Sequence, residues 1–300
     1  MAGACNASLP RVLTLAATAA PIAVDSTTVF YFQAALGQIR RVDKAGGTPV
    51  ALAGGESGVD TIALDGTFVY WSTPVNGAIR RVSKGGGQVQ TIATGGMPRR
   101  VAVDANHAYF YDELANVLLR TPKDGSGSAS VFNSAIPSFV SSIVLDDTDV
   151  FFSRMAANWG YAVRQPKTAT STVASTLAGS NVELDGPDLF FAITKAGLSD
   201  TAIVRSDKNL VTKSTTSIPN PNAIYVNQIK VGRMFVYYSL GGSWTSKVHK
   251  CGMLEPYPRD NSQPGLGIPA PVNPVAPVPY ALDEDFVYAA VNGELRRIPQ

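Results

Sequence analysis

The side chains in this sequence that could do chemistry beyond charge pairing are few. There are two histidines, His107 and His249, and two cysteines, Cys5 and Cys251. A hydrolase or lyase needs a base held by fixed partners against a nucleophile or a metal. Neither histidine has such company: His107 falls in a turn-forming run, DANHAYF, and His249 in a strand-like run, WTSKVHK. No two histidines have ligand spacing, and the Gly-rich pieces KGGG and AGG join strand-like runs, where glycine makes hairpin turns and not phosphate cradles. Asp112 and Glu113 are adjacent carboxylates, a spacing that suits a solvated loop better than an acid/base couple. The inventory therefore favours a non-enzymatic protein, with no catalytic residues, no metal site and no cofactor. Cys5 and Cys251 form a candidate disulfide that would tie the amino-terminal tail to the sixth repeat; a buried thiol at Cys251 is the alternative.

The elements that must position any site come from one module. Residues 62 to 96, IALDGTFVYWSTPVNGAIRRVSKGGGQVQTIATGG, hold four β-type runs separated by turn residues, the pattern of a four-stranded antiparallel meander. The turn that ends its first strand recurs at Asp25, Asp65, Asp104, Asp146, Asp185, Gly232 and Asp283, spaced by 40, 39, 42, 39, 47 and 51 residues. Apolar, mostly aromatic pairs come after each turn, from Phe30-Tyr31 and Tyr70-Trp71 to Tyr237-Tyr238 and Tyr288-Ala289. A basic residue recurs on the third strand at Arg41, Arg81, Arg120, Arg164, Arg205, Lys250 and Arg297. A period near forty with four strands per unit predicts an all-β, seven-bladed β-propeller. Blades start near 22, 62, 101, 143, 182, 229 and 280, in a single domain spanning 1–300.

The seventh unit ends after its third strand, and residues 11–17, RVLTLAA, match the fourth strands of other units. This segment is expected to pair with the carboxy-terminal blade and close the ring, behind a tail at 1–10. Residues 255–279 are rich in proline, which lacks the N–H a ladder needs, and are expected as an extended loop. A shorter loop is expected over 217–226.

Composition narrows the function classes. The charged fraction is 16% and the net charge +2, so the basic excess that nucleic-acid binding needs is absent. No apolar run is long enough to span a bilayer. The expected product is a monomer, secreted or held in the periplasm or at the cell surface, its native signal peptide removed upstream.

Residues locked to the repeat are explained by the fold. The recurrent Asp carboxylates suit Asx turns that accept amide hydrogen bonds, and the recurrent basic residues would pair with them or lie on the neighbouring aromatics. Glu183 and Lys230 replace small residues at matching first-strand sites and are expected to form an ion pair between blades. Function is sought where copies differ: in the residues entering the first strands, Asp60, Arg99, Arg100, Ser142, Asn181, Asn227 and Gln228, and in the loops between second and third strands, with Asp112, Glu113, Asn158, Trp159 and Trp244. Exposed aromatics beside polar groups suit a ligand or partner site. The expected partner is a protein, peptide or glycan.

The run VDTIALDGTFVYWSTPVNGAIRRVSKGGGQVQTI resembles the YWTD-type propeller repeat of lipoprotein-receptor ectodomains, and is still more similar to TolB-like and related secreted bacterial propellers. The resemblance rests on strand and turn positions over nearly the whole chain. It implies a secreted binding module. YWTD domains have six blades where this sequence counts seven, so it does not imply receptor function. Streptogramin-inactivating lyases are similar in length and blade number, but their histidine and acidic metal site has no counterpart here. A lyase or hydrolase on the same scaffold, and a carbohydrate-binding lectin, are the alternative readings.

Overall fold

The computed structural model describes residues 11–15, 19–134, 136, 139–156, 159–168, 173–194, 200–219, 226–232, 235–240, 244–249, 280–291 and 294–299. Within them the chain forms a series of antiparallel sheets whose strands are neighbours in sequence order, except that the first strand of the chain joins the last sheet. The first sheet holds Ala19–Val24, Thr28–Gln33, Gln38–Asp43 and Val50–Ala53. The second holds Thr61–Leu64, Phe68–Thr73, Ala78–Ser83 and Gln90–Thr94. The third holds Pro98–Val103, His107–Asp112, Val117–Pro122 and Ser130–Asn133. The fourth holds Val140–Leu145, Asp149–Ala156, Trp159–Pro166 and Val173–Ala178, and the fifth Ser180–Asp185, Asp188–Thr194, Asp200–Asp207 and Thr212–Pro219. The sixth has Val226–Val231, Phe235–Leu240 and Trp244–His249. The seventh has Tyr280–Leu282, Phe286–Val291 and Glu294–Pro299, with Arg11–Leu15 in fourth place.

The fold is an all-β propeller of four-stranded antiparallel blades. Six sheets are complete blades, one fewer than the seven expected, because the sixth shows three strands among the described residues. Residues 250–279, next in the chain after its third strand, lie outside them. The expected loop over 217–226 is corrected in part: the last strand of the fifth sheet runs on to Pro219. Of the expected amino-terminal strand, Arg11–Leu15 pairs antiparallel with Glu294–Pro299, with Arg11 opposite Arg297 and Leu15 opposite Glu294.

Local chemistry explains the hairpins. Asp65 Oδ1 accepts the amides of Thr67 at 2.8 Å and Phe68 at 2.7 Å, so the carboxylate itself fastens the turn from first to second strand. Asp25, Asp104, Asp146 and Asp283 do the same at the equivalent turns. The second strands carry most of the largest buried side chains, among them Tyr31, Trp71, Tyr109, Phe151 and Tyr288. Alternate residues of a strand face opposite ways, so each second strand serves two interfaces. Phe30 and Phe32 of the first sheet pack with Val69 and Trp71 of the second. Val29 and Tyr31 turn the other way, onto Leu13, Tyr288 and Leu295. The core is thus a set of slabs between sheets.

First strands touch in the order of the sheets, from first to seventh, and the seventh touches the first. In the first, third, fourth, fifth and sixth sheets the pairing of first and second strands shifts register, between Ala19 and Ile22, Arg99 and Ala102, Val140 and Ser142, Ser180 and Glu183, and Val226 and Gln228. These are bulges, which bend a strand and re-aim its side chains. They lengthen the first strands backwards, so residues expected to precede the strands lie inside them.

Candidate functional site

Because the Asp turn joins first to second strand, the turn from second to third strand lies at the other end of each sheet, beside the start of the first strands. Backbone bonds hold these pieces together: the Glu56 amide donates to Gly37 O at 2.9 Å, Gly95 to Gly77 O at 2.7 Å and Glu113 to Met97 O at 3.0 Å. The segment entering each of these sheets is therefore bound to the turn of the sheet before it or of its own. This loop face holds those of the predicted site residues that are described.

The structure brings four of them into one charged cluster. Arg99 Nη1 donates to Asp60 Oδ1 at 3.0 Å and Arg99 Nε to Glu113 Oε2 at 2.5 Å. Arg100 adds its amide, 3.1 Å from Asp60 Oδ2, and its Nη1 at 3.3 Å. The bulge makes this possible: Arg100 sits at φ 56, a left-handed value uncommon outside glycine, which directs its N–H back to the second sheet. Burial pushes the Asp60 carboxyl up, but the Arg100 charge and the bonds from Thr61, the Arg100 amide and Arg99 outweigh it and hold it below its ordinary range. Burial pulls Arg99 down, and its bonds to Glu113 and Asp60 more than restore it. Arg100 also lies over the Phe139 ring, 5.4 Å from its centroid, and its buried Nε has no partner among the described residues.

Asp112 is close by but works differently. Its Oδ1 accepts the amides of Met97 at 3.0 Å and Leu114 at 3.0 Å, so it fastens backbone and offers little to a ligand. Ser142 and Asn181 take part in a second cluster. Ser142 Oγ accepts the Val182 amide at 2.6 Å, Ser141 Oγ accepts the Asn181 amide at 3.1 Å, and Asn181 Nδ2 donates to Val226 O at 2.6 Å. Asn181 also lies at φ 56 on a bulge. Gln228 Nε2 donates to Tyr280 O at 3.3 Å. The backbones of Trp159 and Trp244 sit opposite Ala156 and Leu240 at the ends of hairpins. Asn158, Cys5 and Cys251 lie outside the described residues, as do the side chains of Asn227, Trp159 and Trp244.

Two features were missed by reading the sequence. Glu56, in the link between first and second sheets, is 4% exposed; its Oε1 meets Arg80 Nη1 at 2.5 Å and its Oε2 accepts Trp71 Nε1 at 3.0 Å. The signal was available in the lone tryptophan of the aromatic pairs, whose indole N–H needs an acceptor when buried. The second concerns the recurrent Asp turns. Their other oxygens meet lysines of the next sheet: Lys84 with Asp25, Lys123 with Asp65, Lys167 with Asp104, Lys208 with Asp146, and Lys44 with Asp283, all between 2.5 and 2.8 Å. Of the recurrent arginines, Arg81 and Arg297 lie over aromatics as one of the two expectations had it, 4.3 and 4.4 Å from the Phe68 and Phe286 ring centroids, while Arg164 and Arg205 pair with Asp149 and Asp188 instead of with the turn carboxylates. The expected Glu183–Lys230 pair is present.

Among the described residues, the loop face thus assembles charges and hydrogen-bonding groups without a base poised on a nucleophile. It can recognise, by charge and by contact.

No family model matches the chain, and neither does any curated protein. Solved structures do. The chain is similar to virginiamycin B lyase from Staphylococcus aureus at 14% identity over 97% of this chain and 98% of that one, TM-score 0.72. A streptogramin B lyase aligns at 13% identity over 96% of each chain, TM-score 0.69. A nidogen/laminin complex aligns at 15% identity over 74% of this chain and 89% of that one, TM-score 0.56. Likeness at such identities is a likeness of architecture, and it agrees with the sheets described above: this chain has the fold of a β-propeller.

Proposed function

We propose that the protein is a non-enzymatic binding module, secreted or displayed at the cell surface, whose loop face recognises a protein partner. The observation that carries this is a row of uncovered apolar side chains on that face. Leu36 is 52% exposed, Val75 74% and Leu114 71%, on the turns from second to third strand of three successive sheets. Beside them Arg100 stacks on Phe139, and Asp60, Arg99 and Glu113 form a charged border. Apolar anchors rimmed by charge are what a protein interface uses, and Arg on an aromatic is a frequent hot spot. A photo-crosslinking residue at position 75 or 114 should capture one partner, and the double change Val75→Glu, Leu114→Glu should abolish that capture; the exposed Val131 on an outer strand serves as the control. Equal capture from position 131 would overturn the reading, and so would a specific glycan-array signal, which favours the lectin alternative.

The full-length likeness to two lyases favours a second reading, an enzyme on this scaffold. A catalytically inactive form of the virginiamycin B lyase was solved with quinupristin. Disappearance of quinupristin on incubation with this protein would favour the enzyme.

The scaffold we propose is a ring of seven blades closed by Arg11–Leu15. Its support is the pairing of that strand with Glu294–Pro299, the burial of Leu13 among Tyr31, Tyr288 and Leu295, and the Lys44–Asp283 bond between first and seventh sheets.

A further inference from the structure

At the end of the sheets away from the loop face, a cleft of about 280 Å³ opens between the third and fourth sheets. It is lined by His107, Tyr109, Arg120, Lys167, Asn106 and Asp147, with Asp104 at its side. None of these belongs to the site described above. The cleft is best understood by comparing one position across the sheets. Three residues after four of the Asp turns, the chain places Phe68, Asp149, Asp188 and Phe286 next to the recurrent arginine of the third strand, while the first sheet has Thr28 there. The two phenylalanines cover that arginine and the two aspartates neutralise it. In the third sheet the position is His107, which turns its ring toward Tyr109, 6.1 Å between centroids.

Arg120 consequently has no carboxylate among the described residues. Its Nη1 donates to Lys167 O at 3.2 Å, its guanidinium lies within reach of the Tyr109 hydroxyl, and it stands 5.7 Å from the Phe132 ring centroid, so these groups already take part of the fork. The other charges of the cleft wall are engaged: Asp104 Oδ1 takes the amides of Asn106 and His107, and its Oδ2 takes Lys167 Nζ at 2.7 Å. Of the lining residues only Asp147, exposed at the rim, carries charge outside these bonds. A planar fork of donors, half-buried and facing a cavity with an amide side chain beside it, matches a carboxylate through two parallel bonds. The volume lies just below that of ordinary ligand pockets and admits a few heavy atoms beyond the carboxylate.

We propose that this cleft binds a small carboxylate-bearing molecule, held by the Arg120 guanidinium with Asn106 and His107 at its flanks. The experiment is a titration of the full chain, labelled for amide NMR, with acetate, L-alanine and inorganic phosphate at constant ionic strength. Acetate and L-alanine should give saturable shifts confined to the Asp104–Tyr109 turn, Arg120 and Lys167. Arg120→Gln should lose them. His107→Phe should lose them too while folding normally, because it installs the side chain that covers the arginine in two other sheets. Absence of saturation with both carboxylates, persistence of the shifts in His107→Phe, or a tighter response to phosphate than to acetate would each overturn the assignment.

Discussion

Glu56 shows how one residue, by its side chain and its backbone together, can tie two sheets. Its carboxylate is fully withdrawn from solvent and is satisfied by the Trp71 indole and Arg80, while its amide bonds to Gly37 of the preceding sheet. Removing one partner of a buried ion pair leaves the other uncompensated, at a cost of about 3–5 kcal/mol, and the partial exposure of Arg80 places the effect at the lower end. Glu56→Ala should therefore lower the unfolding free energy by about 3 kcal/mol, read from urea melts. The Glu183–Lys230 pair was legible in the sequence because both residues broke a repeat of small residues at matching places. Glu56 was not, since it lies in a link where the repeats have no common residue to break.

Among elements, the turns and strands were legible and the bulges were not. A turn is decided by residues two or three apart, and Asp with Gly or Thr announces it. A bulge is decided by how a strand fits its neighbours in the next sheet; nothing local marks Arg100 as left-handed, and Asn181 is only of a type that tolerates that region. Glycine roles divide the same way. Gly96 has φ +66, and a Cβ there would lie 2.0 Å from Asp112 Oδ2, which is held in place by backbone amides. Gly66 has open space around it and no left-handed strain. Gly96→Ala should thus cost on the order of 2 kcal/mol or more, whereas Gly66→Ala should stay within about 0.5 kcal/mol of the parent. Equal losses in the two variants would contradict the contact at Asp112.

At the scale of the molecule, the propeller was legible from its forty-residue period, but the links between sheets were not, because lysine and carboxylate lie nearly sixty residues apart, as for Lys123 and Asp65. These links set the response to acid. Burial pushes the Asp65 and Asp146 carboxyls up, but the lysine bonds and the turn amides more than reverse it and bring each to about 2, from an ordinary 3.8. Asp25, Asp104 and Asp283 are lowered in the same way. A carboxyl lowered by folding contributes stability above its unfolded value and loses it as pH falls through the folded one. The melting temperature should hold near neutrality and fall steeply between about pH 4 and 2. Lys123→Gln should make that fall shallower. Deleting residues 1–17, which removes the strand opposite Glu294–Pro299, should lower the melting temperature sharply, and an unchanged melt would count against the closed ring. The links also have a direction: in each, the lysine comes from the later sheet, or from the first onto the seventh, and the carboxylate doubles as the clasp of its own hairpin. Exchanging the two charges at one junction, Asp65→Lys with Lys123→Asp, should therefore fail to rescue either single change. Neutral drift can replace the ammonium with other cations, but it has no route by which the acid and the base trade places.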